Sequence, residues 1–233
     1  MPQQFTYTTP FGTVHIIGEQ PRIIDNPQLS YEQALAFGAD RGKIAQLIVA
    51  SDAAKAGHKS VYPARYKEPL FWDGAVTSTP RSAIIMQTAD CPVVILTNKT
   101  SGDVALVHAG RPALNGPCNV LNNALHAVLG GYTGAENVEA LVVGNICGQC
   151  FKHDQEEAKP LIEYFLKLPE NVFADRATGA LDLYRVIHHD LAHHGVPTGN
   201  INQAGPCTFE TKGLSSYRRD KTPLRNTVIL VLF

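Results

Sequence analysis

The chain has 233 residues, 44% of them hydrophobic and 18% charged, with a formal net charge of -1. That length and composition suffice for a buried core and exclude a disordered chain, and the near-zero charge argues against a nucleic-acid or anionic-membrane partner. No apolar run reaches the ~20 residues of a membrane span. The N-terminus lacks a basic start followed by an apolar block, and the five cysteines suggest no disulfide framework. The expectation is therefore a cytoplasmic protein with reduced thiols.

Residues 5–18 (FTYTTPFGTVHIIG) alternate apolar and polar around a Pro-Phe-Gly turn and read as a hairpin. Ser30, with Gln33 three residues on, resembles a capping box opening a helix through Phe37. Residues 43–50 (KIAQLIVA) fit a strand or a helix, since periodicity cannot decide so short a run. Residues 82–86, 92–96 and 103–107 are strand candidates, the last two joined by the turn NKTSG at 98–102. From Pro112 to Leu129 the apolar positions suit one helix, stopped by Gly130-Gly131. Residues 141–143 read as a buried strand, 158–168 and 182–194 as helices, the second ending at Gly195, and 227–232 as a final strand. No repeat or linker interrupts residues 1–233, which read as one domain. The chain holds neither G-x-G-x-x-G nor a P-loop.

The stretch TADCPVVILTNKTSGDVALVHAGRP places Cys91 at the mouth of one apolar strand and His108 at the end of the next. Side chains there can project past a sheet edge. A thiolate and an imidazole are zinc ligands, or a nucleophile and its base, or simply packing residues. Asp90 stands beside the cysteine. After His108 the small residues Ala109 and Gly110 let a ligand approach the backbone. Pro112 suits a first helical turn, so Arg111 and a helix N-terminus form a candidate anion site for phosphate or carboxylate. His58 is a third candidate ligand, although a surface histidine is the default.

Three other groups have weaker claims. Cys147-x-x-Cys150, with His153 beyond it, could hold a metal only by recruiting Cys118 or Cys207, and packing cysteines are the preferred reading. His189 and His193 share a helix face, but the glutamate of H-E-x-x-H is missing, and histidines near a helix C-terminus favour the dipole without any ligand. In Ser216-Tyr217-Arg218-Arg219-Asp220 the arginines and tyrosine could grip an anion or stack on a base, or form a salt-bridged lid.

Taken together, TADCPVVIL (88–96), DVALVHAG (103–110), GNICGQCF (144–151), CTF (207–209) and SYRRD (216–220) resemble the laccase-domain family. Its members are also called YfiH-like proteins, multicopper polyphenol oxidases or purine nucleoside phosphorylases. The resemblance covers roughly residues 70–233, and the first 60 diverge. It implies an α/β (α+β) fold of mixed β-sheets in a sandwich flanked by helices, related to cysteine hydrolases of the bacterial deamidating-toxin type. It implies a zinc site at Cys91 and His108, with His58 as the nearest candidate for the third ligand. The family's HAGWRG reads HAGRPA here, so its arginine falls at 111.

The implied activity is phosphorolysis of adenosine, inosine and methylthioadenosine, with deamination of adenosine. Cys91, His108, Asp90 and Arg111 are the candidate catalytic residues, and Arg111, Tyr217, Arg218 and Arg219 the candidate substrate-binding ones. The expected partners are a purine nucleoside and phosphate, without nucleic acid or membrane, and a homodimer is one assembly open to the chain. The alternatives are a metal-free cysteine hydrolase with Cys91 as nucleophile, for instance in peptidoglycan precursor editing, a copper-dependent polyphenol oxidase, and an inactive member of the family.

Overall fold

The computed structural model describes residues 3–49, 61–66, 72–116, 119–130, 134–152 and 162–233. Cys118, His153 and His58 lie outside them.

Two mixed sheets face each other. The first has the order β1 (Gln4–Thr9), β2 (Gly12–Gln20), β13 (Arg225–Leu232), β6 (Ala83–Thr88), β3 (Ile44–Leu47). The second runs β12 (Ile201–Gln203), β9 (Val138–Val143), β7 (Val93–Asn98), β8 (Val104–His108), β5 (Gly74–Thr77), β4 (Val61–Pro63). A small hairpin, β10 (Phe173–Asp175) with β11 (Ala180–Leu181), stands apart.

Side-chain alternation along each strand builds the layers. On β7, Val93 and Ile95 enter the core between the sheets, while Val94 and Leu96 face the helices outside. On β8, Val104 and Leu106 point inward and Ala105 and Val107 outward. In the first sheet, Val228 and Leu230 of β13 meet the shared core, and Ile229 and Val231 meet helix α1 (Pro27–Ala36) on the far side. The second sheet's outer face is covered by α3 (Val120–Leu129) and α4 (Leu183–His193). The order is thus helix, sheet, sheet, helices. Strands buried on both faces explain why β7 reads as an unbroken apolar run.

Several sequence expectations shift. Helix α1 starts at Pro27, and its cap is Asn26, whose side chain accepts from the Leu29 amide. Ser30 lies inside the helix, donating to the Pro27 carbonyl, so the capping-box reading placed the start four residues late. Of residues 43–50, Ile44–Leu47 form strand β3, paired parallel with β6, and residue 50 lies outside the described set. The helix expected over 112–129 is two helices, α2 (Arg111–Leu114) and α3, separated around Asn115-Gly116. Gly116 has φ +95, and Asn119 starts α3 anew by accepting from the Leu121 and Asn122 amides. Of the helix expected over 158–168, residues 158–161 lie outside the described set, and Phe165–Lys167 is a short 3-10 turn. Helix α4 follows its Asp182 cap as expected, and its last turn runs to His194 before Gly195 at φ +91. Among the described residues the short helix α5 (Tyr217–Asp220) follows, and none of these helices is long and apolar enough to cross a membrane.

Candidate active site

Strand pairing assembles the site. β7 and β8 are antiparallel, with Val93 opposite His108, so the loop entering β7 lies beside the end of β8. The Ala109 amide donates to the Pro92 carbonyl at 2.8 Å and ties the two together. Next to β8, β5 also runs antiparallel, with Gly74 opposite Val107. That register places Asp73 against His108, whose amide donates to the Asp73 carbonyl at 2.7 Å.

The Asp73 side chain, 2% exposed, lies 3.2 Å from His108, Oδ1 to Nδ1. A carboxylate accepts, so the Nδ1 position carries the proton and Nε2 is turned the other way. Asp73 was not recognised in the sequence. Burial pushes the His108 imidazole down, but hydrogen bonds to Asp73 and Cys91, with the attraction of both groups, outweigh it and raise the pKa to about 9.

Gly110 shows where the imidazole and the thiol converge. A Cβ added there would lie 2.8 Å from His108 Nε2 and 3.0 Å from Cys91 Sγ. A side chain of any size would intrude between the two donor atoms, so the glycine keeps open a small space that both address. A buried carboxylate on the non-coordinating nitrogen is also the usual support of a metal-bound histidine. The pair therefore fits a zinc ion. His58, the third ligand suggested by the resemblance, lies outside the described residues.

This pair sits at the end of a cavity of about 590 Å³. Arg22, Arg111 and Arg225 line it, with Gln87, Tyr217 and an apolar wall that includes Ile23, Leu47 and Val49. Burial and the neighbouring Arg218 charge hold the Arg111 guanidinium below its ordinary value, and burial with the Arg22 charge does the same to Arg225. Cations crowded in this way favour an anion. Among the described residues no ion pair involves Arg111. Helix α2 has a single turn and begins at Arg111, so the anion-binding potential rests on the guanidinium rather than on a helix dipole.

The other expected site residues fall elsewhere. Asp90 does not line the cavity. It has φ +82, and its carboxylate accepts from Thr208 Oγ1 and from the Arg218 amide, each at 2.7 Å. Its carbonyl accepts from the Ile146 amide at 3.0 Å. Arg218 and Arg219 do not line the cavity either. Arg218 donates to the Lys152 carbonyl and lies over the Phe151 ring. Arg219 donates to the carbonyls of Thr208, Phe209, Thr211 and Leu214, and pairs with Asp220. Of the SYRRD segment only Tyr217 reaches the cavity.

His194, the residue that follows α4, bonds the Asp190 carbonyl and Asn122 and so joins α4 to α3. Cys147 and Cys150, by contrast, are joined by Cys207 and Glu210 in one group. Burial, first, and the neighbouring thiols push the Cys150 thiol up, and burial does the same to Cys147, so neither is primed as a nucleophile.

Fold and site together define a two-sheet sandwich in which the ends of neighbouring strands bring Cys91, His108 and Asp73 to an arginine-lined cavity. The chain belongs to the family described as multi-copper polyphenol oxidoreductase laccase, which it matches over residues 29–231. A purine nucleoside phosphorylase of Streptomyces coelicolor is 30% identical over 152 residues, 64% of this chain and 60% of that protein. One of Campylobacter jejuni is 26% identical over 178 residues, 75% of this chain and 73% of that protein. An adenosine deaminase from an unknown prokaryotic organism is 26% identical over 138 residues, 58% of this chain and 52% of that protein. The matched region thus spans about 60% of the length of the Streptomyces relative.

The fold is shared with a Neisseria meningitidis protein of the same structural group, at a TM-score of 0.76, 20% identity and 98% coverage of both chains. YlmD of Geobacillus stearothermophilus superposes at 0.74, with 15% identity, over 96% of this chain and 92% of that one. These curated relatives carry names of purine-processing enzymes. The family description also implies copper. His108 is the only histidine lining the cavity among the described residues. That donor set suits one ion and does not fit several coppers that together store electrons for oxygen.

Proposed function

We propose that the protein is a zinc-dependent purine nucleoside phosphorylase that also deaminates adenosine, with adenosine, inosine and methylthioadenosine as substrates. One observation supports this most. The Cys91–His108 pair and the arginines 22, 111 and 225 line one cavity large enough for a nucleoside. Such a cavity can place an anion at one end of a substrate whose other end meets a metal.

Cys91 and His108 would hold the zinc, with His58 as the third ligand implied by the resemblance. When bound, the ion supplies a Lewis acid and lowers the pKa of a water toward ~7. The rest is done by the protein's own groups. Arg111 binds phosphate and holds one of its oxygens toward C1′ of the ribose. That oxygen bonds to C1′ as the bond to the purine nitrogen breaks, and the purine leaves with the proton that the hydrogenphosphate gives up. The apolar wall excludes water that would compete with phosphate, and Tyr217 offers the base a ring face. Asp73 fixes the His108 ring and its proton on Nδ1. Deamination takes up water at C6 of adenine and releases ammonia, with no use of phosphate.

The test is purine release from inosine with and without phosphate. Release that depends on phosphate, lost together with the cavity zinc in Cys91→Ser, is the expected result. Absence of purine release under either condition would overturn the reading.

A second reading is favoured by the convergence of Cys91 Sγ and His108 Nε2 at Gly110, with Asp73 bonded to the far side of the ring, which matches the roles of nucleophile, base and orienting carboxylate. In a metal-free hydrolase the Cys91 sulfur would bond to an amide carbonyl carbon, the amine would leave with a proton from His108, and water would release the acid. Activity that survives a chelator and is lost to alkylation of Cys91 would select it.

A further inference from the structure

The geometry points to a second metal site, away from the cavity: we propose that Cys147, Cys150, Cys207 and Glu210 bind one zinc ion that cross-links two loops. The donor atoms of these four residues all lie within 4.8 Å of one another. A tetrahedral zinc with sulfur at ~2.3 Å needs sulfurs ~3.8 Å apart, so a modest contraction closes the site. Three thiolates and a carboxylate give the ion four charged donors, as in four-cysteine structural sites, and the soft majority selects zinc over magnesium or calcium. None of the four lines the cavity.

The backbone at each pair of ligands has the tight form that a pincer requires. Cys147 and Cys150 flank a turn in which the Cys150 and Phe151 amides both donate to the Cys147 carbonyl at 3.1 Å. Cys207 and Glu210 have the same spacing in a turn closed by the Thr211 amide on the Cys207 carbonyl at 3.1 Å. The first turn is packed in place: a Cβ on Gly148 would lie 2.8 Å from the Cβ atoms of Ala174 and Asp182. The second is held by Arg219, which bonds the carbonyls of Thr208, Phe209 and Thr211. The two turns already meet through the Cys147 amide on Cys207 Sγ at 3.2 Å and the Cys150 thiol on Glu210 Oε1 at 3.4 Å. These loops bear on the cavity through Asp90, which bonds Ile146 and Thr208 and directly precedes Cys91. The site's role is therefore to fix the loop that presents Cys91.

The wild-type protein is loaded with zinc, divided, and one half stripped with a chelator under reducing conditions. Both halves are alkylated with iodoacetamide and mapped by mass spectrometry. Cys147, Cys150 and Cys207 should react at least tenfold more slowly in the loaded half. Equal reactivity in both halves, or a disulfide joining two of the three in the loaded reduced protein, would overturn the proposal. Elemental analysis of Cys91→Ala separates this site from the cavity. That variant should retain one zinc per chain, and adding Cys150→Ser should remove it. A Cys91→Ala protein that takes up no zinc would overturn the second site. A wild type that binds one zinc, lost with Cys150→Ser but kept with Cys91→Ala, would remove the metal from the cavity and leave the second site standing.

Discussion

Asp73 grips His108 twice, with its carbonyl on the histidine amide at 2.7 Å and its carboxylate 3.2 Å from Nδ1. Backbone and ring are thereby set by the same neighbour, and the ring has one tautomer available for coordination. Asp73→Asn keeps the shape but leaves an amide that can present either a donor or an acceptor. The expected outcome is a loss of zinc affinity or activity of about 10–100-fold with little change in Tm, the usual cost of losing a carboxylate behind a ligating histidine. A variant with wild-type zinc affinity and kcat would assign Asp73 to folding alone.

Gly110→Ala tests the space between the two donors. The added methyl would press on His108 Nε2 and Cys91 Sγ together. Overpacking of this kind costs about 1–3 kcal/mol. The protein should remain folded by circular dichroism, melt lower, and lose metal from the cavity. Full activity in this variant would show that Cys91 and His108 do not act at a common point.

Arg111→Ala should raise the phosphate KM by about 10–100-fold, the loss of a charge-assisted hydrogen bond of about 1.5–3 kcal/mol. Deamination of adenosine, which uses no phosphate, should change much less. An equal loss in both reactions would make Arg111 a residue of the nucleoside subsite.

Arg219→Ala should act on stability. Its guanidinium satisfies the carbonyls of four residues, and truncation leaves several with poorer partners. A fall of about 2–4 kcal/mol in unfolding free energy is expected from the size of such bonds. A phosphate KM that rose while Tm held would return Arg219 to the substrate-binding role its motif suggested.

His15 gives the fold a pH dependence. Burial holds its imidazole below the ordinary 6.5, between Thr6 and Thr13 and stacked on Phe37. The unfolded chain therefore binds the proton more readily, and stability falls as pH drops from 6.5 through the folded value. Urea unfolding of wild type and His15→Gln at pH 7.5 and 5 should show a smaller drop for the variant. Parallel curves would clear His15 of this role.

That Cys91 and His108 meet at one cavity was legible because strand ends are local features, readable from where an apolar run stops. Asp73 was hidden because its meeting with His108 depends on the pairing of β5 with β8, a contact between residues 35 apart. The sequence favours packing for Cys147 and Cys150 and offers Cys118 or Cys207 as a recruit; Glu210, which follows Cys207 by three residues and joins the group in space, carries no such signal. The long helix failed at Asn115-Gly116 and Asn119, a stop and a fresh cap inside one apolar pattern. Arg218 and Arg219, candidate substrate-binding residues by their motif, donate to loop carbonyls, contacts that no local pattern in the sequence announces.

Asp90 adopts a backbone conformation, φ +82, that asparagine or glycine would hold with less strain. A carboxylate there accepts from Thr208 and Arg218 at once, a pair of bonds that glycine could not make. The torsion is thus locked by remote segments of chain, and Cys91 inherits its direction from them. The pocket is consequently exposed to inheritance at a distance: drift in residues 144–151 or 207–220, none of them beside the thiol in sequence, can re-aim it. Relatives with intact Cys91 and His108 can diverge in chemistry by this route while every pocket side chain stays the same.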